Sequence, residues 1–255
     1  MKRNGRSRSP GMSGHDKTES AVTMGRNTHR PPKERDRYLS EDEIIKLKQQ
    51  LPAANLLRTT EIAIWIMLST CCRVGEISRA RWEHIDLEAG EWFIPAGISK
   101  NAKPHTVLLS EFSKQQFEEL QDLSGDSEWC LPTKGGSNHI CLKSIAKQIK
   151  DRIRDDSFSK RTKAKGTLRL PGGDWTPHDL RRTGATMMGE LGVMGEIIEK
   201  CLNHVEPNKL KRIYQRQERK AEQREAWRLL GERLTLLTEK EEHHNVVIGR
   251  FHKNG

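Results

Sequence analysis

From Leu39 onward apolar side chains recur at helical spacing; before it they do not. Ser40 sits three residues ahead of Glu43, a capping-box pattern, and Ile44, Ile45, Leu47 and Leu51 give the helix that follows an apolar face. A second helix is predicted over about 61–72. There Ile62, Ile64, Trp65, Ile66, Met67 and Leu68 leave little polar face, so the pattern predicts a buried central helix. The period then shortens. Trp82 to Leu87, a turn at Ala89-Gly90, and Trp92 to Pro95 read as a hairpin, and Thr106 to Leu109 as a third short strand. A helix at about 111–123 comes next.

In the second half, residues 140–154 form an amphipathic helix. Ile140, Ile145, Ile149 and Ile153 fall on one side, and Lys143, Lys147, Lys150 and Arg154 form a basic stripe on another. Thr176-Pro177-His178-Asp179 opens a further helix, with an N-cap, a proline at the first position and a boxed acid; Gly192 ends it. Helices at about 194–202 and 217–238 follow, the last with Trp227, Leu230, Leu234 and Leu237 as its apolar edge. The expected fold class is mainly α with a small three-stranded antiparallel sheet (α+β).

Composition changes the picture at the ends. Hydrophobic residues make up 34% of the 255, and mean hydropathy is −0.79, low for a chain folded throughout. Residues 1–37 carry ten Lys/Arg against four Asp/Glu and lack apolar periodicity. They are expected to be a disordered basic tail, with the folded domain over 38–238 and a flexible tail over 239–255. Formal net charge is +10 and the pI about 9.5, which favours a polyanionic partner. Residues 143–169 alone carry ten Lys/Arg and three Asp, and the aligned stripe reads as a phosphate-tracking surface rather than an ordinary solvated face. The five cysteines are odd in number and lack C-x-x-C spacing, so they read as reduced, mostly buried thiols in a cytoplasmic protein, without a metal site. No apolar run reaches the length of a membrane span.

Only two tyrosines occur, Tyr38 and Tyr214. Tyr214 closes an ordered series of Arg73 with Glu76, His178 with Arg181 and Arg182, and His204. His178 and Arg181 share a face at a helix N-terminus, where the dipole favours an anion. Arg73 with Glu76 reads either as a salt bridge fixing a turn or as an arginine held by its carboxylate and presented to a phosphate, to which its planar fork donates two parallel hydrogen bonds. Two arginines, two histidines and a phenol suit exchange of one phosphodiester bond for a tyrosyl ester.

These residues and the text around them resemble the tyrosine recombinase (phage integrase) family over about 37–238. Besides the ordered series there are Thr70-Cys-Cys-Arg-Val-Gly-Glu76, Trp82-Glu-His-Ile-Asp86, Lys103-Pro-His-Thr-Val-Leu-Leu-Ser110, Thr176-Pro-His-Asp-Leu-Arg-Arg-Thr183 and Cys201-Leu-Asn-His204. The family's catalytic lysine corresponds to Lys100 or Lys103, with Lys100 preferred because Ser-Lys lies just inside the hairpin turn.

The resemblance implies a site-specific DNA recombinase whose nucleophile is Tyr214. Arg73, Arg181 and His204 would hold the phosphate, His178 would act as base, Lys100 as acid, and Glu76 as support. Lys143, Lys147, Lys150, Arg154 and Arg182 would contact DNA. It implies no metal or other cofactor, duplex attachment sites as partner, a tetramer on DNA, and work at the bacterial nucleoid. It also leads one to expect an N-terminal core-binding domain for which 37 residues are too few. The alternatives are therefore a truncated remnant that binds DNA without catalysis, or strand cleavage and resealing of the type IB topoisomerase kind. Trp227, Leu230 and Leu234 are expected to contact a neighbouring protomer.

Overall fold

The computed structural model describes residues 36–154, 164–205 and 219–239. Tyr214 lies outside them, as do nearly all of the expected tails. Helix α1 (Glu41–Gln50) starts where the capping box predicts: the Ser40 hydroxyl accepts from the Glu43 amide at 3.3 Å, and the Glu43 carboxylate accepts from the Ser40 amide at 3.1 Å. Helix α2 (Arg58–Thr70) is buried along nearly its whole length and packs against four other helices. It ends at Cys71, whose left-handed backbone (φ 49°) turns the chain directly into α3 (Val74–Ser78).

Strands β1 (Ile85–Asp86), β2 (Glu91–Ile94) and β3 (His105–Leu108) form one antiparallel sheet in the order β1-β2-β3, with Trp92 opposite Val107 and Ile94 opposite His105. The first strand is shorter than the pattern predicts. Trp82–His84 form a 3₁₀ turn instead, because the Trp82 indole donates to Ser124 Oγ and its ring packs edge-on to Phe117, both on α4 (Glu111–Ser124). A tertiary contact thus overrides the strand preference of this stretch.

Helix α5 (Ser144–Ile153) is also shorter than expected. Lys143 is its cap, Arg154 is already extended, and Ile140 precedes it, so the helical periodicity of the basic stripe holds only for Lys147 and Lys150. Helix α6 (Pro177–Glu190) opens on Thr176, whose amide and hydroxyl both donate to the Asp179 carboxylate, at 2.8 and 2.9 Å. Helix α7 (Gly195–Cys201) follows.

Helix α8 (Lys220–Glu239) corrects one expectation. Trp227, Leu230, Leu234 and Leu237 are fully buried, and the helix packs against α1, α2, α4, α6 and α7 of its own chain. These side chains complete the core of their own chain. Two ion pairs reinforce the seating: Arg233 binds Glu41 on α1, and Arg219, just ahead of α8, binds Glu196 on α7 at 2.6 Å.

Close helix approach depends on glycine at two points. A Cβ on Gly184 of α6 would stand 2.4 Å from Cys71 Sγ and 2.7 Å from the Leu68 carbonyl, and one on Gly231 of α8 would meet Ser110. Gly184→Ala is therefore expected to destabilise the fold by about 1–3 kcal/mol, the usual range for overpacking. A urea-denaturation midpoint that does not move would refute this account of the α2–α6 contact.

Candidate active site

The site begins where α2 stops. Arg181, in the second turn of α6, is 5% exposed. Its Nη1 donates to the Cys71 carbonyl and its Nη2 to the Leu202 carbonyl. These are the cap carbonyls of α2 and α7, acceptors that a helix end leaves without an internal partner and that carry the negative end of its dipole. A buried cation is thus solvated by two converging helix C-termini. Burial, followed by the neighbouring charge of Arg73, pulls the Arg181 pKa below the ordinary arginine value, yet a guanidinium stays protonated at any physiological pH.

Arg73 is the cap residue of α3. The Glu76 carboxylate accepts from its amide at 2.7 Å and from its Nη1 at 2.9 Å, and is itself 4% exposed. One buried carboxylate therefore faces two guanidiniums, and the local excess of one positive charge matches a phosphodiester's single negative charge.

His178 stands one turn ahead of Arg181 on α6 and so shares its face. Partial burial first, then the charges of Arg182 and Arg181, and more weakly Lys100, lower its pKa against the opposing pull of Asp179. The ring is a free base at neutral pH. Arg182 lies 3.8 Å from Asp179. Lys100 is exposed in the β2–β3 loop, whose start is fixed by Arg79 Nη2 donating to the Ile98 carbonyl at 2.8 Å. His204 follows α7 and is oriented by Glu199, whose carboxylate lies 2.7 Å from its Nδ1.

Arg73, Glu76 and Arg181 line one cleft. His178 feels the charges of Arg181 and, more weakly, Lys100, and His204 borders the adjoining groove with Lys103. The stripe on α5 does not join them. Gln148 meets Thr60 and Arg152 donates to the Ala54 and Asn55 carbonyls, so α5 is anchored near the start of α2. That is a helix length, roughly 20 Å, from the end of α2 where the cluster lies. Lys143, Lys147, Lys150 and Arg154 are all exposed there.

One residue of the cleft escaped the sequence reading. His105, at the inner end of β3, lines it and bonds through Nε2 to the Cys201 carbonyl at 3.1 Å. Desolvation pushes its pKa down to about 4, with Glu76 opposing and Arg181 and Arg73 assisting. The strand pattern was read from Thr106, one residue too late to include it. Cys71 and Cys201 also line the cleft, but burial pushes both thiols up to about 12, so neither supplies a thiolate. Among the described residues no group of three or more His, Cys, Asp or Glu is placed to hold a metal ion, and no helix is long and apolar enough to cross a membrane.

Comparison with known proteins bears on the family and the fold. The sequence model of the phage integrase family matches residues 37–221. The prophage integrase IntA of Escherichia coli K12 is 28% identical over 196 residues, covering 77% of this chain but only 44% of the relative, so the chain spans less than half of that protein's length. Among solved structures, the integrase of mycobacterium phage Brujita superposes with a TM-score of 0.56 at 20% identity, over 78% of this chain and 59% of that one. A lambda integrase tetramer bound to a Holliday junction gives 0.52 at 18%, over 69% of this chain and 50% of that one.

His105 has a thermodynamic signature. Its pKa is about 6.5 when unfolded and about 4 when folded, so below pH 6.5 the unfolded chain takes up a proton that the native site refuses. Stability is expected to fall by roughly 3 kcal/mol from pH 6.5 down to 4, and then this contribution levels off. His178, depressed in the same direction, adds to the slope. Urea denaturation across this range should show the loss, and His105→Gln should remove most of it; an identical slope in the variant would contradict the assignment.

Proposed function

The chain belongs to the phage integrase family, and from that premise we propose that it cuts and rejoins duplex DNA at specific sites through a 3′-phosphotyrosyl intermediate on Tyr214. The observation that carries the reading is the pair of guanidiniums, Arg73 and Arg181, held beside one another by Glu76 and by two helix-terminal carbonyls, with a neutral histidine alongside.

In this reading the arginines bind the non-bridging oxygens of the scissile phosphate and stabilise the charge that accumulates on them. Their frame is already rigid, which is what makes such donors effective in a transition state. The Tyr214 oxygen bonds to phosphorus while the bond from phosphorus to the 5′-oxygen breaks. A phenol with an ordinary pKa near ~10 must lose its proton, and the free-base imidazole of His178 accepts it. Lys100 gives a proton to the departing 5′-oxygen, leaving a 5′-hydroxyl. The charge of Lys100 is felt at His178, which supports Lys100 over Lys103. His204, oriented by Glu199, donates to the same phosphate. A 5′-hydroxyl from a second strand then reverses the step and seals a new junction.

Lys143, Lys147, Lys150, Arg154 and Arg182 are assigned to the DNA backbone. The distance of the first four from the cluster fits contacts one helix length along a duplex, whereas Arg182, beside Arg181, would meet the backbone near the reacting phosphate; such contacts position without reading sequence. The lambda integrase tetramer on a Holliday junction shares this fold, and four copies on two duplexes is the assembly proposed here.

Two measurements test the proposal. A nicked duplex carrying candidate attachment sequence traps the cleaved strand on the protein. Wild type is expected to give a denaturation-resistant adduct and Tyr214→Phe none, with DNA binding retained in both. An adduct that survives in Tyr214→Phe removes Tyr214 from its role, and binding without any adduct in wild type replaces the recombinase with a DNA-binding remnant. Arg73→Lys keeps the charge but not the fork, and is expected to slow adduct formation on the order of a hundredfold; a rate within twofold of wild type would sink the phosphate-clamp role.

A further inference from the structure

We propose that Asn203 is a positioning residue that latches the Lys100 loop to the segment bearing His204. The inference rests on the recombinase reading for its chemical consequence, though the latch itself is a matter of geometry.

Asn203 is the first residue after the cap of α7 and stands immediately before His204. Its backbone is left-handed, φ 49°, a conformation that asparagine and glycine tolerate better than other residues. Glycine would serve the turn equally well, but it would lack the side chain. The Asn203 amide Nδ2 faces three acceptors on the loop between β2 and β3: Ser99 Oγ at 3.2 Å, Asn101 Oδ1 at 3.3 Å and the Lys103 carbonyl at 3.3 Å. Asn101 returns the bond, its Nδ2 donating to the Asn203 carbonyl at 2.6 Å. Within the loop, Ser99 Oγ donates to Asn101 Oδ1 at 2.7 Å and the Lys103 amide donates to the same oxygen at 3.3 Å. Lys100 thus lies inside a small polar knot whose centre is Asn101 and whose outside anchor is Asn203. Arg79 holds the other end of the loop at Ile98.

The arrangement matters because Lys100 is itself exposed on a loop joining two short strands. A general acid must reach the departing oxygen to within hydrogen-bond distance, and a misplacement of about 1 Å is enough to cost on the order of a hundredfold in rate. A tie from the residue next to His204 places the lysine loop relative to the phosphate-binding side of the site. The acid and the phosphate ligand are then located by one backbone.

The test uses Asn203→Gly, which keeps the left-handed turn and removes only the side chain. Amide hydrogen exchange over residues 99–103 in the full chain reads the latch directly, and it is expected to quicken about tenfold or more while the urea midpoint stays put. Cleavage is read on paired nicked duplexes, one with the natural 5′-oxygen at the scissile bond and one with a bridging 5′-sulfur. Sulfur departs as a thiolate without needing a proton, so that substrate does not require the acid. The variant is expected to lose between about tenfold and a hundredfold on oxygen and less than twofold on sulfur. Asn101→Ala should reproduce the pattern from the other side, and Lys100→Ala should show the same rescue.

Unchanged exchange in Asn203→Gly overturns the proposal. Equal losses on oxygen and sulfur overturn it too, since they would assign Asn203 to the phosphate or the fold rather than the lysine. Failure of sulfur to rescue Lys100→Ala rejects the acid role of Lys100 and leaves the exchange result to decide the latch. A wild type inactive on both substrates rejects the recombinase reading, and exchange again decides the latch alone.

Discussion

The structure turns on how a buried guanidinium is satisfied. Among the described residues, no carboxylate sits at the tip of Arg181. The guanidinium bonds to the terminal carbonyls of α2 and α7, two helices that are far apart in sequence and brought together at this one cation. A helix end buried without partners is costly, as is a buried charge without partners. Here each resolves the other. The same contact fixes where α2 releases the chain into Arg73 and where α7 releases it into Asn203 and His204. The close approach of α6 to α2 at Gly184 sets the depth from which Arg181 can reach Cys71. Site and core are therefore not separable here, and substitutions at Arg181 are expected to affect both.

Electrostatics then sorts the remaining groups. Two guanidiniums repel one another and tolerate proximity only with countercharge. Glu76 supplies part of it, and an anion taken up by the cleft would supply the rest. The same positive field, together with burial, keeps His105 and His178 neutral. His105 uses its Nε2 on a backbone carbonyl, whereas His178 stands one turn from Arg181 on α6.

Local signals in the sequence carried far. The Ser40–Glu43 and Thr176–Asp179 boxes start helices where the pattern places them, and the all-apolar run around Trp65 is the buried centre of the domain. The order of Arg73, Glu76, His178, Arg181 and His204 was legible too, because recurring residue types at fixed spacing survive in a linear reading. What was not legible depends on contacts distant in sequence. Trp82 leaves the strand pattern to meet Ser124 on α4. His105 acquires its character only from burial against Cys201. The apolar edge of α8 does not say on paper which helices it will meet, and the packing around Trp227 seats it on five of them. Likewise, a basic stripe on α5 says nothing of which end of α2 it lies beside.

The seating of α8 also makes it the keystone of the body. Helices α7 and α8 are fastened together, with Arg219 bound to Glu196 between them. Undocking α8 would expose Trp227, Leu230, Leu234 and Leu237 at one stroke and break contact with five other helices, so the last described helix locks elements drawn from the whole length of the folded chain.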